Sequence, residues 1–360
     1  MKKRIFSVLL LAALLGLPAC GDKEPETPPA ASLPAPVQPA EPAQPEEPPE
    51  PAGTNPLTGR PLEPEDETRR PVAVMLNNLK AAQPQLGTSR ADIIYEIPAE
   101  GGITRMLALY QTLDGVENLG SIRSTRPYYI EVALGHDALL VHAGGSPAAY
   151  ADIPAWKVDN MDGVHGGSDA EIFWRDKERR KTAGYEHSLL TSGEKIQAYL
   201  DEGHFRTEHG AGYQEPLRFR EDGTPEGGER AEQVTVKISQ YKTGTFDYDA
   251  GAGGYAVGQY GKEYVDGNTG EQVVVTNVLV LETQESVIAG DTEGRLKVRT
   301  TGEGEGRFFC GGKTVPIRWS RADRNSPFVY TTEDGAPLEL GEGSSYICII
   351  SPKVSKVSYS

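Results

Sequence analysis

From residue 231 to the end, apolar and β-branched residues recur at every second position in short runs. They read AEQVTVKIS, FDYDAGAGGYAVGQYG, EQVVVTNVLVLETQ, GRLKVRTTG, GRFFCGGKTVPIRWS and SYICIIS. Side chains of an extended strand point alternately to opposite faces, so this period makes strands and not helices. Gly-Asn, Asp-Gly and Gly-Gly pairs between the runs supply the turns. The pattern predicts a β-rich C-terminal domain over 231–360, built as an all-β sandwich or barrel.

Residues 67–205 mix two periods. PVAVMLNN (71–78) and DALLVHA (137–143) read as strands, and IIYEIPAEGGITRMLALYQT (93–112) as two strands about a Gly-Gly turn. RPYYIEVALGH (126–136) and SGEKIQAYLDEG (192–203) carry helical spacing, the second with Ser192 as N-cap and Lys195, Ile196, Tyr199 and Leu200 in register. This half is expected to be a mixed α/β N-terminal domain, and the fold class α+β with a smaller, mainly β second domain. The stretch 206–230 is rich in Gly, Glu and Arg without a sustained period, as in a linker or long loop.

Ahead of these bodies the composition changes. From Gly21 to about Gly53 the chain is Pro, Ala and Glu with almost no large apolar residue, and a stalk is expected over 20–66. Such a segment buries too little to offset its ordering entropy. At ~3.1 Å per residue in the polyproline limit its Pro-rich part reaches ~100 Å. Residues 1–19 read as a secretory signal: Lys2, Lys3 and Arg4, an apolar run from Val8 to Leu17, then a small residue. Leu17-Pro18-Ala19-Cys20 fits a bacterial lipobox, with Cys20 as the lipidated N-terminus; two acyl chains suffice for stable anchoring. An ordinary signal that happens to contain a cysteine is the alternative. The expected address is the extracytoplasmic face of the membrane.

The formal net charge of −16 argues against nucleic acid as a partner. Only Cys310 and Cys348 follow Cys20, both in strand-like runs, FFC and YICII; one disulfide or two buried thiols fit equally. No Walker or Rossmann glycine pattern lies at a strand-to-helix junction, so no cofactor is expected. The histidines have no metal-ligand spacing, and DGNTG (266–270) reads as a hairpin turn, so no metal is expected.

Polar residues sit among the apolar runs of the first body. They are Glu96, Glu100, Arg105, Arg123, Ser124, Arg126, Asp137, His142, Ser146, Trp174, Arg175 and His187. The order of VAVMLNN, QPQLGTSRADIIYEIPAEGGITRMLALYQ, GSIRSTRPYYIEVALGHDALLVHAGGSP, IFWRD and EHSLLTS resembles the YerB-like lipoproteins, a family built on a domain of unknown function. The likeness continues through YVDGNTGEQVVVTNVLVLET, GKTVPIRWSR and DGAPLELGEGSSYICII, so it covers nearly everything from about Asn55. It implies a lipid anchor and an extracytoplasmic address, and no reaction. The family usually has Pro-His-Asn where this chain has Glu186-His187-Ser188, so only His187 carries over there.

Guanidinium forks match carboxylate and phosphate, which makes Arg105, Arg123, Arg126 and Arg175 candidates for gripping an anion; pairing with Asp92, Glu96, Glu100 and Asp137 is the bland alternative. Arg123 and Arg126 are three apart, which would set both on one side of a helical turn. A serine nucleophile would need His142 as base to Ser146 and a third group to orient it. Asp137 lies five residues from His142 and so on the opposite strand face, and GGSP lacks the G-x-S-x-G elbow. Ser146-Pro147 reads instead as a helix start with Ser146 as N-cap. The candidate ligand-binding set is Glu100, Arg105, Arg123, Arg126, Asp137, His142, Ser146, Arg175 and His187. The expected function is recognition of a cell-wall polymer or envelope protein without catalysis. A hydrolase acting on wall glycan or peptide through Glu96, Glu100, Asp137 and His142 is the second reading, and a structural spacer the third.

Overall fold

The computed structural model describes residues 53–360, and the signal segment, Cys20 and most of the stalk lie outside them. The elements of the first half are β1 (Val72–Asn77), β2 (Ile93–Pro98), β3 (Thr104–Tyr110), β4 (Asn118–Gly120), α1 (Pro127–Gly135) and β5 (Leu139–His142). Then come α2 (Pro147–Trp156), β6 (Asn160–Asp162), β7 (Trp174–Arg175), α3 (Lys177–Thr182), β8 (Leu189–Ser192) and α4 (Gly193–Asp201). The second half gives β9 (Gln233–Lys237), β10 (Thr243–Asp249), β11 (Gly254–Gln259), β12 (Asn277–Glu282) and β13 (Gly302–Cys310). It ends with β14 (Lys313–Arg321), β15 (Ser345–Ile350) and β16 (Lys356–Tyr359).

One 11-stranded sheet draws on both halves, in the order β14-β13-β12-β15-β2-β3-β1-β5-β6 with two short strands on β14. The join is β15, which pairs in parallel with β12 on one side and with β2 on the other. Its sequence SYICII is buried at every position, as a strand covered on both faces requires. The strands after 231 therefore do not close into a sandwich of their own. β12 to β15 extend the sheet of the first half, while β9, β10, β11 and β16 form a separate sheet.

The two faces of the main sheet have different covers. Val74, Leu76, Ile94, Met106, Tyr346 and Cys348 pack against Val236, Phe246, Val257 and Tyr264 of the second sheet and its loops. Ala73, Met75, Tyr95, Leu107 and Leu140 pack against Tyr129, Ile130 and Ala133 of α1. Each large side chain sealed this way contributes ~1.5–3 kcal/mol, so register slips are strongly disfavoured.

The helix starts follow the sequence. Ser146 Oγ accepts from Ala149 N at 3.1 Å with Pro147 in the first turn, and Ser192 Oγ accepts from Lys195 N at 3.2 Å. Two stretches differ from their composition. Gly53–Thr54 pairs with Pro61–Leu62, Leu57 is in the core, and Asn55 Nδ2 donates to Asp92 Oδ1 at 2.9 Å. The folded body thus includes 53–66, which composition counted with the stalk. Within 206–230, Arg218–Arg220 pairs in parallel with Glu339–Gly341.

The disulfide reading is corrected: Cys310 and Cys348 are free, buried thiols. Cys348 sits in the core under the second sheet and Cys310 in the core under α1. Strand β12 separates them, and the register puts Cys310 level with Asn277 and Ser345, three residues from Cys348. Strand spacing and rise give a Cα separation of about 14 Å, twice the ~7 Å limit for a bridge.

Candidate functional site

Arg105 on β3 faces Asn77 on β1 and Ile97 on β2, so all three side chains share the α1 side of the sheet. The segment 121–126 crosses this end of the sheet, with isolated bridges from Ile122 to Leu76 and from Thr125 to Gly145. Arg123 N donates to Met75 O at 2.9 Å, Ala143 N to Arg123 O at 3.0 Å, and Thr125 N to Gly144 O at 3.0 Å. Arg123 is therefore held between β1 and the His142–Ser146 turn. Arg126 is the extended N-cap of α1. The expectation of a shared helical turn fails here, because Arg123 precedes the helix, and the two arginines reach different carboxylates.

Glu100, in the turn between β2 and β3, receives two guanidinium groups. Arg105 Nη2 donates to Oε1 at 2.9 Å, and Arg126 binds both oxygens, with Nε at 3.2 Å from Oε2 and Nη2 on Oε1. Arg105 Nη1 also donates to Ser124 O at 2.6 Å, and Arg126 Nη1 to Thr125 O at 2.7 Å. Burial would raise the Glu100 pKa, but Arg105 and Arg126 outweigh it and hold the carboxyl below its usual range. Burial, followed by the like charge of Arg126, brings Arg105 down to about 10. Its Nε has no hydrogen-bond partner among the described residues. Two buried cations share one anion, which leaves an excess of positive charge in a strongly acidic chain.

Arg123 and His187 adjoin this pair. Arg123 Nη1 is 3.4 Å from Glu186 Oε2, and the side chain of Glu186 is 70 % exposed against 18 % for Arg123. Asn77 Oδ1 accepts from Leu79 N, which turns its amide toward His187 Nδ1 at 2.8 Å. His187 then accepts at Nδ1, and a neutral ring carries its proton on Nε2. Burial, and after it the charge of Arg123, lowers the His187 pKa below its ordinary value, against the pull of Glu186. Arg175 stacks on the Tyr185 ring at 3.6 Å and donates to Tyr185 O, and Arg179 donates to the carbonyls of His187, Pro84 and Ala82.

The remaining candidates lie elsewhere. Asp137 is at the opposite end of α1, about 16 Å from Arg126 by the helical rise. It accepts from Arg206, from Gly210 N at 2.9 Å and from His209 at 3.2 Å. Burial opposes its ionisation, but His209 and Arg206 hold its carboxyl well below the usual range. It clamps the 206–210 segment to the sheet.

His142 is fully buried, with Nδ1 2.9 Å from Gly144 O and Nε2 3.0 Å from Asn160 Oδ1. Ser146 Oγ caps α2. Gly144 N donates to Asp162 Oδ1 at 2.8 Å. Glu96 points to the other face of the sheet, into the core beneath the second sheet. The geometry thus brings together Glu100, Arg105, Arg123, Arg126 and His187, with Arg175 beside them, and separates Asp137, His142, Ser146 and Glu96. Asn77, Arg179 and Glu186 were not singled out by sequence; the one signal was the Asn77-Asn78 break at the end of an apolar run.

Among the described residues no helix is long and apolar enough to cross a membrane, and no group of three or more His, Cys, Asp and Glu could hold a metal ion. A protein of Bacillus subtilis (strain 168) described as "Putative lipoprotein YerB" is 30% identical over 301 residues, spanning 82% of this chain and 85% of the relative. A crystal structure of the YerB protein from Bacillus subtilis superposes with a TM-score of 0.71 at 29% identity, over 85% of this chain and 99% of that one. Residues 57–206 match the N-terminal domain, and 234–347 the C-terminal domain, of the proteins of unknown function DUF3048, and the chain belongs to that family.

Proposed function

We infer that this chain is an extracytoplasmic lipoprotein, tethered through Cys20, that holds an anionic group of the cell wall at Arg123 and His187 without chemical turnover. The observation that carries the reading is the sharing of Glu100 by Arg105 and Arg126. That arrangement leaves local positive charge next to Arg123, whose own partner Glu186 is exposed and weakly held. A guanidinium so placed exchanges a solvated carboxylate for a ligand carboxylate or phosphate at little cost. Wall polymers bear both, as muramyl and peptide carboxylates and as glycerol-phosphate chains. The lipoprotein description of the relative and the lipobox-like Leu17-Pro18-Ala19-Cys20 support the tether.

Cosedimentation of the purified protein with insoluble cell wall tests the reading. The parent chain should pellet with wall at low salt and be released as salt rises, and Arg123→Glu should stay in the supernatant. Equal pelleting of the two proteins would remove the site from the account.

A further inference from the structure

Asn78, Glu96 and Lys242 come from three separate places: the end of β1, the middle of β2 and the start of β10. All three are sealed from solvent, at 0, 1 and 1 % exposure. One oxygen gathers them. Glu96 Oε1 lies 2.8 Å from Asn78 Nδ2 and 3.3 Å from Lys242 Nζ. Thr104 Oγ1 donates to that oxygen at 2.5 Å, and the Tyr346 hydroxyl donates to Oε2 at 2.6 Å.

Among the described residues, Lys242 Nζ and Asn78 Oδ1 have no hydrogen-bond partner. In place of water the Lys242 ammonium has the Glu96 carboxylate at 3.3 Å and the face of the Tyr260 ring at 4.8 Å, and burial disfavours its charged form. Burial lowers the Lys242 pKa accordingly, against the opposing pull of Glu96. A desolvated amine is a nucleophile, and here the Lys242 amine and the Asn78 carboxamide meet on one oxygen of the Glu96 carboxylate.

We propose that Lys242 and Asn78 form an isopeptide bond, with Glu96 as the proton carrier. The ammonium of Lys242 gives a proton to the Glu96 carboxylate, and the freed Nζ lone pair attacks Asn78 Cγ. In the tetrahedral adduct Glu96 delivers its proton to Nδ2 and takes one from Nζ. The adduct then collapses: the Cγ carbonyl reforms, the Cγ–Nδ2 bond breaks, ammonia leaves, and the proton first given up by Lys242 stays on Glu96. Nothing is oxidised or reduced. The product ties the end of β1 in the main sheet to the start of β10 in the second sheet by a covalent link, and replaces a buried ion pair with a neutral amide. The step is independent of anion binding on the opposite face.

Intact mass spectrometry of the purified full-length chain tests this. The expected mass is the sequence mass, corrected for N-terminal processing, less one ammonia. Trypsin should then yield one branched peptide that carries both Asn78 and Lys242, uncut after Lys242. Lys242→Arg and Glu96→Gln should each restore the lost ammonia. The full sequence mass in the parent chain would overturn the proposal without recourse to any variant. So would an ammonia loss confined to the linear Asn78 peptide, which marks succinimide formation instead.

Discussion

Arg105 and Arg126 donate to the same oxygen of Glu100, one from a sheet strand and the other from the cap of α1. The carboxylate is the joint between sheet and helix, and its removal leaves two buried cations facing each other. Glu100→Gln is expected to cost about 3–5 kcal/mol, the range for breaking a buried pair by deleting one partner. Arg123→Ala should cost no more than about 1 kcal/mol, because its partner is solvated. Urea unfolding of the two variants beside the parent measures both, and similar losses would contradict this division of roles.

Asp137 gives the fold an acid limit. Its folded pKa lies below the unfolded value, so its contribution is fully present above the unfolded value of about 3.9 and is lost as pH falls through the folded one. The parent should lose thermal stability as pH drops below about 4, and Asp137→Asn should show a flatter profile from a lower plateau. A variant as steep as the parent would place the acid sensitivity elsewhere.

The two cysteines of the folded body should behave as separate thiols. Burial pushes Cys310 up to about 11 and Cys348 well above the ordinary thiol value, so both should resist alkylation in the native protein. After denaturation without reductant, peptides bearing Cys310 and Cys348 should each carry the label. A disulfide-linked pair of those peptides would contradict the strand order around β12.

Much of this fold was legible in the sequence, because strand period, Gly-Gly turns and the caps Ser146 and Ser192 act over short distances. The position of β15 was not legible. SYICII reads as a buried strand, but pairing with β2 across some 250 residues is a long-range choice that local pattern does not encode. The same limit governed the site. Glu100, Arg105, Arg123, Arg126 and His187 stood out as polar residues within apolar runs, whereas their partition from Asp137 and His142 depends on which end of α1 each one meets. Alternation placed His142 on an inward row, and the row proved to be core with its acceptors already in place.

Arg123, beside the excess positive charge of Arg105 and Arg126 over Glu100, is the proposed hold on an anionic wall group. Calorimetric titration of the full chain with soluble muropeptides, and separately with a glycerol-phosphate oligomer, tests it most directly. At least one of the two should bind, with affinity falling as salt rises. Arg123→Ala should weaken that binding about tenfold, equivalent to ~1.4 kcal/mol, with no more than the ~1 kcal/mol loss of stability expected for that variant. Absence of binding by the parent chain to both probes, or equal affinity in the variant, would contradict the account.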